Sequence, residues 1–275
     1  MLTRGYDRNA DNPIDLSRYA AINADHAAET VSAKYNFIPT TRALAVLADY
    51  GWHPVQAIEA RTRKEAIAGF QKHAIRLANP KFNRELQVGS TIPQLLLTNS
   101  HAGTAAFELS LALFEKVCSN GLIVARGNAE QIRVTHRGYG DEFMEAALHE
   151  VAAGVEPTLQ LTDEYKQMRL TDGERQAFAA AAIELRWNGE EFAVDPGRLL
   201  WTRRSEEKAP TMWNTYNVAQ EAIIRGGVPQ RDVRAGSKTY GRQTRSRKVA
   251  GLDENIRLNR ALWRLTEEMA KLKAQ

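Results

Sequence analysis

The sequence predicts an α+β fold: a central antiparallel β-meander flanked by helices, with a basic loop and a C-terminal helix. Three observations carry this reading. Between 53 and 136 short apolar segments, one of them a fully apolar run and one with clean period-two alternation, are interrupted by turn signals, as in strands joined by tight connections. Beyond residue 141 the period lengthens to that of a helix. The stretch 226–250 has neither period and is rich in Gly, Ser and Arg.

Residues 1–14 are polar, with Asn12-Pro13 as a breaker, and are expected to form a flexible arm. The core is expected over 15–140. Leu16, Tyr19, Ile22 and Val31 give residues 15–33 a weak helical pattern. Pro39-Thr40-Thr41 opens a clear helix with Leu44, Leu47 and Ala48 on one face and Gly51 as the stop. His53 to Arg61, Phe70 to Leu77 and Gln94 to Thr98 read as strands. In the next segment Phe107, Leu109, Leu111 and Leu113 point one way, and Glu108, Ser110 and Ala112 the other. Ala and Leu favour helices, but alternation over seven positions favours a strand. Asn120-Gly121 is a hairpin-type turn signal, and Leu122–Ala125 and Gln131–His136 complete the meander.

Residues 141–225 are expected to be helical. Phe143, Ala147, Leu148 and Val151 fit one face of a helix ending near Gly154. Thr171-Asp172-Gly173-Glu174 has the form of a cap for an Ala-rich helix reaching Leu185. Asp195-Pro196 to Trp201 is a short irregular or helical piece. Pro210-Thr211 opens another helix, stopped by Gly226-Gly227. Residues 226–250 then read as a long loop, a length that usually signals function or disorder. In the terminal helix, 251–275, Leu258, Leu262, Leu265, Met269 and Leu272 are spaced 4-3-4-3, a short heptad seam with Trp263 beside it.

Composition bounds the function. The 275 residues are 43% hydrophobic and 25% charged, enough for a real core and against wholesale disorder. The longest apolar run, Ala177 to Ile183, has seven residues, against roughly 20 for a bilayer span, so no membrane association is expected. The N-terminus has no apolar signal-peptide core. A lone Cys118 forms no intrachain disulfide, and a reducing, cytoplasmic setting is expected. The six His residues lack metal-ligand spacing and no Gly-rich phosphate loop occurs, so neither a metal nor a cofactor is expected.

Charge is the strongest clue. The formal total is +4, but Arg225 to Lys248 holds Arg225, Arg231, Arg234, Lys238, Arg242, Arg245, Arg247 and Lys248 against Asp232 alone. That segment is +7 and leaves −3 for the rest. A second block, Asp141 to Arg175, carries nine acids against Lys166, Arg169 and Arg175. Clustered Arg and Lys neutralise phosphates with little sequence preference. Tyr240, among them, offers a ring on which an unpaired base can stack. Arg203-Arg204 add candidate phosphate contacts upstream. The expected partner is single-stranded DNA, with RNA as the other candidate, bound without catalysis by a homo-oligomer, ring or filament. The rival is a protein-interaction module whose basic loop docks on an acidic partner.

Two other constellations are candidates. The turn Asn99-Ser100-His101 has polar groups it can present to a phosphate or substrate, although Asn, Ser and Gly also form turns for local reasons. Cys118 with His101 gives the pair for a thiol enzyme. Trp213 and Tyr216 share a helix face and are expected in the core, with Asn214 and Asn217 on another face.

Several strings resemble a known family: Lys34-Tyr35-Asn36-Phe37-Ile38-Pro39-Thr40, Gly51-Trp52-His53-Pro54-Val55, Gln71-Lys72-His73 and Leu97-Thr98-Asn99-Ser100-His101-Ala102-Gly103-Thr104. Val117-Cys118-Ser119-Asn120-Gly121-Leu122-Ile123-Val124, Trp213-Asn214-Thr215-Tyr216-Asn217-Val218 and Leu258-Asn259-Arg260-Ala261-Leu262-Trp263 belong to the same set. They resemble the phage/plasmid-like family, which carries a domain of unknown function. The resemblance covers nearly the whole chain and implies a setting on mobile elements, hence DNA metabolism, recombination or conflict with host defence. The order helix, β-meander, helix, basic tail is also similar to that of single-strand annealing proteins, at the level of organisation alone.

Overall fold

A computed structural model describes residues 14–82, 91–115, 121–123, 132–134, 141–187 and 191–274. They form two compact units, divided between Pro157 and Thr158.

The first unit runs through helix α1 (Thr40–Asp49) and strands β1 (His53–Glu59), β2 (His73–Ala78), β3 (Thr91–Asn99), β4 (Phe107–Glu115), β5 (Gly121–Ile123) and β6 (Ile132–Val134) into helix α2 (Asp141–Gln167). The sheet is antiparallel throughout, ordered β1-β2-β3-β4, with β5 and β6 both paired to β4. This is the expected meander. Pro54 sits in the edge strand β1 beside a register shift, where a missing N–H breaks no ladder on the open side. Cross-strand rows knit one face together. Ala57, Ile75, Leu97 and Leu109 lie opposite one another in turn, and Leu77, Leu95 and Leu111 form the next row, all buried. Ala43, Leu44 and Leu47 of α1 are also buried.

Two expectations for this unit are corrected. Residues 15–33 form turns, not a helix. The Asn23 amide donates to the Leu16 and Tyr19 carbonyls, and Asp15 caps Ser17, so short polar side chains capture the backbone groups a helix needs. Helix α2 does not end near Gly154; it continues to Gln167 with Gly154 and Pro157 inside. An interior Pro costs about 3 kcal/mol. Burial on both sides of it, by Val151 and Val155 before and Thr158, Thr162 and Tyr165 after, favours continuation. Asn120 of the expected turn, and Cys118, lie outside the described residues.

The second unit contains α3 (Asp172–Trp187), β7 (Phe192–Ala193), α4 (Pro196–Leu199), α5 (Met212–Arg225), β8 (Pro229–Asp232), β9 (Gln243–Arg245) and α6 (Leu252–Lys273). The expected cap of α3 is present. Glu174 N–H donates to the Thr171 hydroxyl at 3.2 Å, and Thr171 N–H donates to the Glu174 carboxylate at 2.6 Å. Lys273 at the far end of α6 binds the same carboxylate at 2.7 Å. Helix α5 is buried nearly all round, through Trp213, Tyr216, Val218, Ala219, Ala222 and Ile223, as befits a central helix. Its N-cap is the predicted Thr211, which accepts from Asn214 N–H.

In α6 the buried face is Ile256, Leu258, Asn259, Leu262, Trp263, Thr266, Glu267 and Ala270, while Leu272 is 66% exposed. The heptad seam is therefore corrected. The face follows the helical period and includes polar residues that an apolar count passes over: Asn259 accepts from Gln220 at 2.6 Å, and the Trp263 indole donates to Glu267 at 2.9 Å.

The largest correction concerns 226–250. It is not a long loop: β8 and β9 pair as an antiparallel hairpin, and β7 adds a third strand. The strands hold only four and three residues, too few to print a period. What fixes them is hydrogen bonding rather than an apolar face.

Candidate nucleic-acid interface

The hairpin is built upward from the end of α5. Gly226, at φ +75°, stops the helix. The returning chain crosses it so closely that a Cβ there would lie 2.6 Å from the Arg247 carbonyl carbon and 2.7 Å from Lys248 N. Gly227 N–H donates to the Ser246 carbonyl, and the Ser246 hydroxyl accepts from Val228 N–H. Arg186 of α3 donates to the Ile223 and Arg247 carbonyls, clamping the helix end to the returning strand. In the ladder Pro229 faces Arg245, Gln230 faces Thr244 and Arg231 faces Gln243. One side of the hairpin thus carries Arg231 and Arg245. On the other, Gln230 accepts from the Trp187 indole at 2.8 Å.

The tip is organised by the lone acid of the segment. The buried Asp232 carboxylate accepts from Arg234 Nε at 3.1 Å and Nη2 at 2.6 Å, from Arg234 N–H at 3.0 Å, and from the Thr239 and Ser237 hydroxyls at 2.6 and 3.2 Å. Its peptide group pairs with Arg242 and Gly241 across the turn. The Arg234 guanidinium, then the Thr239 hydroxyl, hold the Asp232 carboxyl well below the usual carboxylate range. Arg234 also lies over the Phe192 ring at 5.1 Å.

The predicted cations therefore divide. Arg234 is committed to Asp232, Arg225 to Glu221 at 3.0 Å, and Arg245 to the Gly227 carbonyl at 2.9 Å. Arg231, Lys238, Arg242 and Arg247 are exposed and Lys248 is half-buried; no carboxylate pairs with any of the five among the described residues. Tyr240, in the tip between Lys238 and Arg242, is 66% exposed. Arg204 is not a free phosphate contact: it pairs with Glu207 and, at 2.9 Å, with Glu221. Burial opposes the charge on Glu221, but the guanidiniums of Arg204 and Arg225 outweigh it and hold the carboxyl below its usual range. Sequence reasoning missed Trp201, 67% exposed between exposed Arg198 and Arg203. The available signal was a Trp in a segment with no apolar period beside a basic pair.

The turn Asn99-Ser100-His101 is not presented to solvent; all three residues are fully buried. Asn99 lies opposite His73 at the end of the sheet. There the Thr40 hydroxyl meets His73 Nε2 at 2.8 Å, His101 Nε2 at 3.2 Å and Asn99 Nδ2 at 3.0 Å. His73 Nδ1 faces the Gln71 carbonyl and so carries the proton. Thr40 then donates to His73 and accepts from Asn99 and His101, filling its one donor and two acceptor sites. Burial lowers the pKa of His73 to about 4 and keeps it neutral. Trp213 and Tyr216 are core residues, as expected; Asn214 closes the preceding turn by donating to the Glu206 and Ala209 carbonyls, and Asn217 is buried. Among the described residues no three His, Cys, Asp or Glu gather as metal ligands, and no helix is long and apolar enough to cross a membrane.

A family model described as Domain of unknown function (DUF932) matches residues 27–263. The chain belongs to this family. Two relatives come from Escherichia coli strain K12, UPF0380 protein YfjQ and UPF0380 protein YafZ. Each is 31% identical to this chain over 242 residues, covering 88% of this chain and 84% of the relative. No solved structure matches. The DUF932 match contains the sheet, the polar cluster at Thr40, Trp201 and the whole basic hairpin.

Proposed function

We propose that this DUF932 protein binds single-stranded nucleic acid, DNA in preference to RNA, through the 229–248 hairpin and without chemistry. The observation that supports it is the hairpin itself. Five cations unpaired with any carboxylate among the described residues are spread along a frame held by backbone bonds and Asp232, with exposed Tyr240 in its tip between Lys238 and Arg242. Cations of this kind neutralise phosphates, and the ring takes an unpaired base. Arg231, Lys238, Arg242, Arg247 and Lys248 make the phosphate contacts, and Arg225, Arg234 and Arg245 hold the frame. The biological setting in this proposal is recombination or strand annealing on a mobile element, with several subunits lining one strand.

Fluorescence anisotropy of a labelled oligo(dT) over a salt series tests the reading. Each phosphate contact on a single strand contributes about 0.7 to the slope of log K against log salt. Five contacts predict a slope near −3.5, and each Arg→Gln change in the set should reduce it by about 0.7. Unchanged binding after neutralising all five would defeat the proposal. In that event, capture of an acidic protein by the wild-type hairpin would favour the interaction-module reading instead.

A further inference from the structure

Of the five tryptophans, Trp52, Trp187, Trp213 and Trp263 are buried, and Trp201 alone is open to solvent. An indole left 67% exposed gives up a large apolar contribution to folding. Its surroundings are basic: Arg198 lies three residues before it and Arg203 two after, both exposed. The same local pattern recurs in the hairpin, where Lys238 and Arg242 flank exposed Tyr240. Cation and ring side by side suit a base stacked on the ring with its phosphate on the neighbouring charge.

Trp201 also has a fixed relation to the hairpin. It follows α4, which begins three residues after β7, the strand paired with β8. Three residues beyond Trp201, Arg204 binds Glu221 of α5, and the opposite oxygen of that carboxylate binds Arg225 at the hairpin's root. One buried carboxylate therefore ties the strap carrying Trp201 to the base of the hairpin. Leu199, fully buried just before it, anchors the other end of the strap.

We propose that Trp201, with Arg198 and Arg203, is a second base-stacking subsite continuous with the hairpin, so that the ligand is a strand with unpaired bases rather than a duplex. This rests on the hairpin reading above. Two separated stacking rings need bases turned out of any pairing, which a duplex does not offer without unstacking.

Because Trp201 is the only exposed indole, the acrylamide-accessible part of the emission reports on it, and the four buried indoles give the remainder. Saturating unlabelled oligo(dT) should quench the emission of the full-length protein and shield it from acrylamide, and Trp201→Phe should remove that signal. Trp201→Ala should weaken oligo(dT) binding about 5- to 150-fold and leave binding to a duplex of equal length within about twofold. Binding that leaves Trp201 emission and acrylamide access unchanged overturns the subsite and spares the hairpin. Absence of any oligonucleotide binding by the wild type overturns both. Shielding by phosphatidylserine vesicles, with none by oligo(dT), would assign Trp201 to a lipid surface and also overturn the subsite.

Discussion

Thr40 shows how one hydroxyl settles the chemistry of its neighbours. With its donor on His73 and its acceptors filled by Asn99 and His101, it fixes the tautomers of two buried imidazoles. Thr40→Val keeps the shape and removes the hydroxyl's three contacts, to His73 Nε2, His101 Nε2 and Asn99 Nδ2. Leaving buried polar groups unpaired costs about 1–3 kcal/mol each, so a loss of about 3 kcal/mol or more is expected, measured from the urea midpoint. His73 gives a pH signature. Its pKa in the folded chain is about 4 because burial opposes the charge, against about 6.5 unfolded. Between those values the unfolded chain holds a proton that the folded chain refuses. The His73 contribution to stability therefore falls as pH drops from about 6.5 to 4, by about 3 kcal/mol, and adds nothing further below, where the paired carboxylates of Asp232 and Glu221 begin to lose theirs. Unfolding free energies at pH 7, 5.5 and 4 check the trend, and His73→Gln should remove most of it.

Among the elements, those whose fold follows from apolar period were legible in the sequence, and those held by polar bonds were not. Strand β4 was legible because Phe107, Leu109, Leu111 and Leu113 alternate with Glu108, Ser110 and Ala112, and β3 because Gln94 to Thr98 is a short apolar run. The α3 cap was legible because Thr171 and Glu174 have the spacing the reciprocal bonds require. The hairpin was not. Its charged residues were visible, but its strands are too short for a period, and the residue that shapes its tip, Asp232, looked like the exception in a basic run. The candidate site was thus legible in its charges and in Tyr240, but not in which charges are spent on structure. Two substitutions probe this element. Gly226→Ala sets a Cβ against the Arg247 backbone at positive φ and should cost about 2 kcal/mol or more, read from thermal melts. Asp232→Asn should release Arg234 and open the tip. Trypsin cleavage at Lys238 and Arg242 is then expected about tenfold faster, with helical circular dichroism unchanged.

For the whole molecule, the formal +4 conceals a +7 segment on a −3 remainder. In the proposed reading the segment, joined by Arg198 and Arg203, is what meets phosphate, so affinity should collapse with salt while solubility does not. In the proposed reading copies associate head to tail, basic segment to the acidic 141–175 block of the next. Light scattering should show larger assemblies on a long oligo(dT) than without it, and a strict monomer in both conditions would count against annealing. The crossing at Gly226 has a bearing on how such chains diverge. Where returning backbone rests on a residue with no side chain, neither path can lengthen or thicken at the crossing, whereas the turn over 235–241 ends in open space at Gly236 and Gly241. Variation among relatives should therefore gather at the tip, and a peptide tag inserted after Ala235 should be carried by a folded protein where the same tag after Gly226 is not.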